Sequence, residues 1–380
     1  MNSDIFGFYQ VSNYKTYSKL EAIDYKNVYG GNIHWNFNDE LFSSVDWTNE
    51  PQSSLWDLYK QRVKQIREKY DYCVLWYSGG SDSHNILHAW LDSGYKLDEI
   101  ATTWNYETTG ELYNHQNDEI TRVVIPDINR LKAQGYDFKF RILNIADIGM
   151  SIFPELKTDL EYFFNYNFQI SSLGKQFIRN KVKDYSDIIN SGKRLAFIWG
   201  KEKPFLFHEN NKYCFRFADN IDDVVGPYSQ KNYKQGWFDE LFYWSPDFPL
   251  IPIKQSHVIK NFLELLKRPN INLTEYFTSE EKRLRLNTEF FNVNDNFLYT
   301  KLKVSVLKKL IYPRWSKDIY INGKSPTRLL GWRDEWFVNS NCDQLQTAQA
   351  SLLTYLNKTN QKQFRHSLLP FYSKPYWLEK

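Results

Sequence analysis

The chain has 380 residues, more than one hydrophobic core comfortably organises, so two or three packed units are expected. Its 42% hydrophobic and 24% charged residues exclude intrinsic disorder. The three cysteines (Cys73, Cys214, Cys342) exclude a disulfide framework or a Cys-rich zinc site and fit a reducing cytoplasm. The net charge of +3 hides an asymmetry, because residues 301–380 hold 14 Lys and Arg against 5 Asp and Glu, while the first 300 hold 34 against 40. Such a distribution is expected of a C-terminal part that faces a polyanion. No apolar run approaches the roughly 18–20 residues that span a bilayer. Met1-Asn2-Ser3-Asp4-Ile5-Phe6 has no basic region followed by an apolar stretch, so neither a membrane partner nor a signal peptide is expected.

Residues 1–70 read as a small irregular or β-containing N-terminal unit, with turn signals at Tyr29-Gly30-Gly31-Asn32 and Asn36-Phe37-Asn38-Asp39. It ends in a helix from about Leu55 to Lys69, capped by Ser53 or Ser54, with Leu55, Leu58, Tyr59, Arg62, Val63 and Ile66 at near-helical spacing. Over residues 71–224 the pattern changes. Tyr72 to Tyr77 is a short apolar run, as a buried parallel strand requires. A helix is predicted over His84 to Asp92 and stopped by Gly94, then a strand over Ile100 to Trp104. A helical stretch from about Tyr113 to Ala133, with a break expected before Pro126, ends at Gly135. Phe138 to Ile145 predict a third strand, Lys175 to Asn190 a helix, and Leu195 to Trp199 a fourth strand. Phe205 to His208 and Tyr213 to Phe217 predict a hairpin around Glu209-Asn210-Asn211-Lys212. Residues 225–380 read as a mainly helical C-terminal domain, clearest over Ser256 to Lys267. Strands alternating with helices over 71–200 predict an α/β fold with a doubly wound parallel sheet.

The segment that carries chemistry is Ser78-Gly79-Gly80-Ser81-Asp82-Ser83, delivered by a predicted strand onto a helix N-terminus. Two glycines let the backbone approach an anion, and the first-turn N–H groups with the helix dipole favour phosphate there. Ser78, Ser81 and Ser83 add hydroxyl donors. No Lys-Ser/Thr pair closes the loop, so it is not a Walker loop, and no G-x-G-x-x-G occurs. Asp82 implies a divalent cation, since a carboxylate inside a phosphate loop repels its ligand unless a cation lies between them. The plainer reading is a strand-to-helix turn whose Ser and Asp cap the helix.

Ser-Gly-Gly-Ser-Asp-Ser resembles the S-G-G-x-D-S signature of the PP-loop ATP pyrophosphatases, a superfamily with the adenine nucleotide alpha hydrolase-like fold. That superfamily includes the synthetase domain of class B asparagine synthetases. The resemblance covers about residues 71–200. Lys201 to Lys203 and Tyr243-Trp244-Ser245-Pro246-Asp247 are similar, more distantly, to an asparagine-synthetase-like phage protein. It implies that the loop holds the pyrophosphate of ATP with magnesium, and that cleavage between the α- and β-phosphates adenylates an acceptor oxygen. It further implies that Thr103 and Trp104, at the end of the second strand, lie beside the adenine and ribose. Read from the residues, Trp104 is either a stacking platform or a core aromatic. Lys201 and Lys203 either neutralise charge on the phosphates or form a solvated Lys-Glu-Lys turn.

Departures narrow the chemistry. Family glutamine amidotransferases carry Cys after the initiator Met, whereas position 2 is Asn2, so a glutaminase half is not expected. Cys214 and Cys342 cannot supply the zinc cluster of the 7-cyano-7-deazaguanine synthases. The tRNA-thiolating branch needs paired cysteines, and Cys73 lies in a strand, which favours a nitrogen nucleophile. His84 and His88 stand four apart on one helix face, but the residues between them offer no acidic partner, so they read as surface or packing histidines rather than a zinc site. Arg314-Trp315, Lys324 to Arg328 and Gly331-Trp332-Arg333 interleave basic and aromatic residues, as a nucleic-acid surface or a basic helical surface does. The expected function is ATP-dependent adenylation of a small-molecule acceptor, followed by attack of an amine or ammonia. The alternatives are a nucleic-acid base-modifying enzyme with the same ATP chemistry and a non-catalytic nucleotide-binding module.

Overall fold

A computed structural model describes residues 6–17, 19–104, 119–144, 179, 182–200, 204–219, 236–266, 310–314 and 371–380. The N-terminal unit is built on a three-stranded antiparallel sheet of β1 (Phe8–Val11), β2 (Tyr14–Thr16) and β3 (Ile33–Asn36), in the order β2-β1-β3. Helix α1 (Lys19–Tyr29) connects β2 to β3, and the short α2 (Asp39–Ser43) follows. Helix α3 (Leu55–Lys69) begins at Ser54, whose side chain accepts from the Asp57 backbone N–H at 3.1 Å. Leu55, Leu58, Tyr59, Arg62, Val63 and Ile66 form its buried face, as their spacing predicts.

The centre of the molecule is a five-stranded parallel sheet. Its strands are β4 (Tyr72–Trp76), β5 (Glu99–Trp104), β6 (Lys139–Asn144), β7 (Leu195–Trp199) and, across the hairpin that follows β7, the edge strand Trp237–Leu241. β4 and β7 lie side by side with Cys73 opposite Ala196 and Leu75 opposite Ile198. All of β7 and all of β4 except Tyr72 are buried, which is why these two segments read as unbroken apolar runs. Helix α4 (Ser81–Ser93) follows β4 and ends at Gly94, which takes φ +73°. After β5, Ile120–Val124 form a π turn that runs into α5 (Ile125–Ala133). The change expected before Pro126 is a π turn rather than a full stop: the Ile125 N–H reaches back five residues to Ile120 O, and Pro126, in the first turn of α5, needs no N–H of its own. Helix α6 (Lys183–Asn190) precedes β7.

The hairpin of β8 (Phe205–Glu209) and β9 (Lys212–Arg216) turns through Asn210 and Asn211, both at positive φ, as a two-residue turn demands. The expectation of mainly helical structure from residue 225 holds for α7 (Leu250–Leu266), which starts six residues earlier than predicted. It fails at Trp237–Leu241, which is β10 and pairs in parallel with β7. The strand is disguised because Asp239 and Glu240 interrupt its apolar pattern, yet both are buried and ion-paired. Near the chain end, β11 (Tyr376–Trp377) pairs with β9, giving a third sheet in the order β11-β9-β8. One continuous apolar cluster runs through all three sheets. Among the described residues no helix is long and apolar enough to cross a membrane.

Candidate functional site

The sheet order β10-β7-β4-β5-β6 places a topological switch between β4 and β7. The chain builds β5 and β6 on one side of β4, then returns to build β7 and β10 on the other. In open parallel sheets such a switch leaves a crevice at the carboxyl ends of the two strands, where ligands bind. The Ser78–Ser83 segment leaves β4 at that point, and Gly200 leaves β7 beside it. A Cβ on Gly200 would meet the Ile86 Cδ1 methyl and lie 3.4 Å from the Asp82 carbonyl carbon, so α4 seats closely against the end of β7 there.

The loop is tightly tied. Gly79 takes φ +76°, and a Cβ there would meet Val124 Cγ2 at 3.1 Å, Val123 Cβ at 3.2 Å and Glu119 O at 3.3 Å, all on the π-turn segment. Ser83 Oγ accepts from the Ser78 N–H and donates to Gly80 O, each at 3.2 Å, and the Gly80 N–H donates to Ser78 Oγ at 3.3 Å. Helix α4 starts at Ser81, three residues before its predicted start, so the motif supplies the helix's first turn. Gly80 is the N-cap and provides no side chain to that turn. Such an end has unsatisfied amide donors and positive dipole charge to offer an anion.

Asp82, half-buried in the first turn of α4, is held by two phenols. Tyr312 donates to its Oδ1 at 2.5 Å, and Tyr243 donates to its backbone oxygen at 2.8 Å. Asn85 donates to the Tyr243 hydroxyl at 3.2 Å. Tyr59 of α3 fixes the segment that carries Tyr312 by donating to Ile311 O at 2.6 Å, and itself accepts from Gln255 of α7. Burial, reinforced by the charge of Asp82, pushes the Tyr312 phenol well above its ordinary range, so it remains a donor. Sequence reasoning missed Tyr312 and the phenol contact of Tyr243, because both lie far from the motif along the chain.

The remaining predicted residues divide. Thr103 and Trp104 end β5, opposite Leu143 and Asn144, and both are half-buried, with Trp104 packed against the core cluster. Beside the loop, Trp76 stacks on Trp199 with ring centroids 5.0 Å apart. The Trp199 indole N–H donates to Asp239 Oδ1 at 2.6 Å, and Arg179 contacts both oxygens of that carboxylate at 2.8 and 2.9 Å. Lys201 and Lys203 lie outside the described residues, as do Lys324, Arg328 and Arg333. Cys73 is buried in β4, and burial pushes its thiol up to about 12, which removes it as a nucleophile.

One expectation about histidines changes. His84 and His88 do stand on one face of α4, but Asp127 of α5 is brought to them, its Oδ2 lying 3.3 Å from His84 Nδ1. Tyr77 donates to the same Asp127 oxygen at 2.7 Å, and Arg130 holds Oδ1. Burial alone would raise the Asp127 carboxyl, but hydrogen bonds from His84, Arg130 and Tyr77 outweigh it and hold the group well below its usual range. Burial, with His84 beside it, pushes His88 down to about 4.

No protein-family model matches the chain, and no curated protein matches it either.

Proposed function

We propose that the protein is an ATP pyrophosphatase of PP-loop type, which adenylates an acceptor oxygen with release of pyrophosphate and then admits an amine or ammonia. The observation that carries this reading is the glycine loop between β4 and α4, at the carboxyl end of β4 and at the switch with β7. Gly79 supports it, because its left-handed backbone shapes the turn that presents the first-turn amides of α4, as an anion-binding helix N-terminus requires. The residues present fit a nucleotide. Ser78, Gly79, Gly80, Ser81 and Ser83 would hold the phosphates, and Asp82 would hold Mg2+. Thr103 and Trp104 would lie on the base side. ATP supplies the phosphoanhydride whose cleavage between the α- and β-phosphates activates the acceptor.

The chain's own groups have separable tasks. The N-terminus of α4 binds and orients the anion through amide donors fixed before ligand arrives, so little reorganisation is needed. Tyr312 and Tyr243 hold Asp82 in one orientation. Lys201 and Lys203 neutralise charge as the pyrophosphate leaves. The loop lacks the Walker lysine that reaches β/γ-phosphates, and its resemblance to the PP-loop signature implies α–β cleavage.

Incubating the full-length protein with ATP, Mg2+ and panels of carboxylates, nucleobases, tRNA and DNA, each with ammonium, tests the reading. AMP and pyrophosphate in equal amounts are expected with one acceptor class. ADP as the sole nucleotide product, or no AMP with any panel, would sink it.

A further inference from the structure

His84, His88 and Asp127 form a cluster that the proposed nucleotide chemistry does not use. The two rings stand one turn apart on α4 with centroids 4.4 Å apart, and Asp127 reaches them from α5. One ligand atom from each of the three residues lies within 4.8 Å of the other two. Asp82 and His84 are two positions apart, about 200° around the helix, so the cluster and the Asp82 carboxylate leave α4 on opposite sides.

Three observations ask for a cation. The His88 Nε2 atom is buried and has no hydrogen-bond partner, a costly state for a group that is also the commonest metal ligand. His84 Nδ1 shares a proton with the Tyr77 hydroxyl at 3.0 Å and with Asp127 Oδ2 at 3.3 Å. That 3.3 Å matches the roughly 3.4 Å edge of a tetrahedron with zinc bonds of about 2.1 Å, so a cation can take the place of the proton. The carboxylate already has the outer support that ligating carboxylates carry, with Arg130 on Oδ1 and Tyr77 on Oδ2.

We propose that His84, His88 and Asp127 bind one divalent cation of the zinc class, clipping α4 to α5 and leaving the fourth position to water. Two imidazoles with one carboxylate suit Zn2+, Co2+ or Ni2+ and disfavour Mg2+ and Ca2+, which take oxygen ligands. This ion is therefore different from the Mg2+ that accompanies a nucleotide. By joining two successive crossover helices beside the glycine loop, it would stiffen the π-turn segment against which Gly79 packs.

The test uses full-length protein stripped of metal with a chelator. Zn2+ titrated against a chromophoric competitor should bind at one equivalent and raise Tm. Co2+ should give the intense visible bands of a four-coordinate ion. His88→Gln and Asp127→Asn should each weaken Zn2+ binding by about 100-fold or more, and millimolar Mg2+ should not compete. Wild-type binding no tighter than that of the variants, or a weak six-coordinate Co2+ spectrum, would overturn the site. Should either variant fail to fold, imidazole 15N shifts of the wild-type protein decide. Movement of both His84 and His88 on adding Zn2+ supports the site, and movement of neither or only one overturns it. No nucleotide enters these measurements, so their outcome is independent of the ATP reading.

Discussion

At Gly79 two demands coincide, a left-handed backbone and neighbours that would have to give way by a few tenths of an ångström to a Cβ. Gly79→Ala should cost about 1–2 kcal/mol from the positive φ alone, more with the Val124 contact, and should abolish nucleotide binding. A calorimetric melt with an ATP titration checks both, and wild-type ATP affinity in the variant would count against the cradle. Asp82→Asn separates charge from shape. Asn keeps an oxygen for the Tyr312 phenol, so Tm should stay near wild type while turnover disappears with its magnesium dependence. An active Asp82→Asn enzyme would refute the cation role. For Lys201 and Lys203, alanine at the essential one should lower kcat by about 10²–10³, the cost of losing a transition-state donor. Near-normal kcat in both single variants would return them to a solvated turn.

Elements are joined here by a few buried ions. Arg62, on the buried face of α3, donates to Glu240 of β10 and to the backbone oxygens of Leu241 and Phe242, and Lys69 and Tyr70 reach the other Glu240 oxygen. This network fastens the edge strand to the helix that precedes the sheet. Burial alone would raise the Glu240 carboxyl, but Arg62 and Lys69 outweigh it and hold the group below its ordinary range. A carboxyl depressed in the folded state stabilises the fold above the ordinary carboxylate range. That contribution is lost as pH falls through the range towards the folded-state value, because the unfolded chain takes the proton first. Glu240→Gln should therefore lower stability by about 3–5 kcal/mol at neutral pH, since it strands a buried guanidinium. It should also flatten the fall of the urea midpoint between about pH 5 and 3. A variant with the wild-type acid slope would show that Glu240 does not drive it.

Across the whole molecule, the described end of the chain closes a core that its beginning opens. Tyr376 packs on Phe42, Trp47 and Phe217 and donates to Asp39 at 3.0 Å, while the Trp35 N–H donates to Tyr372 O at 3.2 Å. Truncation after Pro370 removes Tyr376 and Leu378 from that cluster and should cost about 4–6 kcal/mol, read as a large drop in Tm. The charge asymmetry gives a second prediction at this scale. If the acceptor is a nucleic acid, Arg328→Ala and Arg333→Ala should weaken polynucleotide binding and flatten its salt dependence, from a log–log slope of about −0.9 per phosphate contacted. If it is a small molecule, polynucleotide should neither bind at physiological salt nor raise pyrophosphate release. A net charge of +3 without a long basic run favours the small molecule.

What the sequence by itself determined is what neighbours along the chain decide. The strand, the glycine turn and the helix after it are contiguous, so their periodicity and the motif read together. Ser53-Ser54 announces α3, and Asn210-Asn211 announces its hairpin for the same local reason. Tertiary structure alone decided the rest. Trp237–Leu241 hides as a strand because Asp239 and Glu240 look solvent-facing until Arg179 and Arg62, 60 and 178 residues away, neutralise them. Asp82 acquires Tyr312 from 230 positions on, and the two histidines of α4 acquire Asp127 from another helix. A buried charge is tolerable only beside its partner. Which partner arrives is set by how the sheet orders its strands, and periodicity within a segment carries no trace of that.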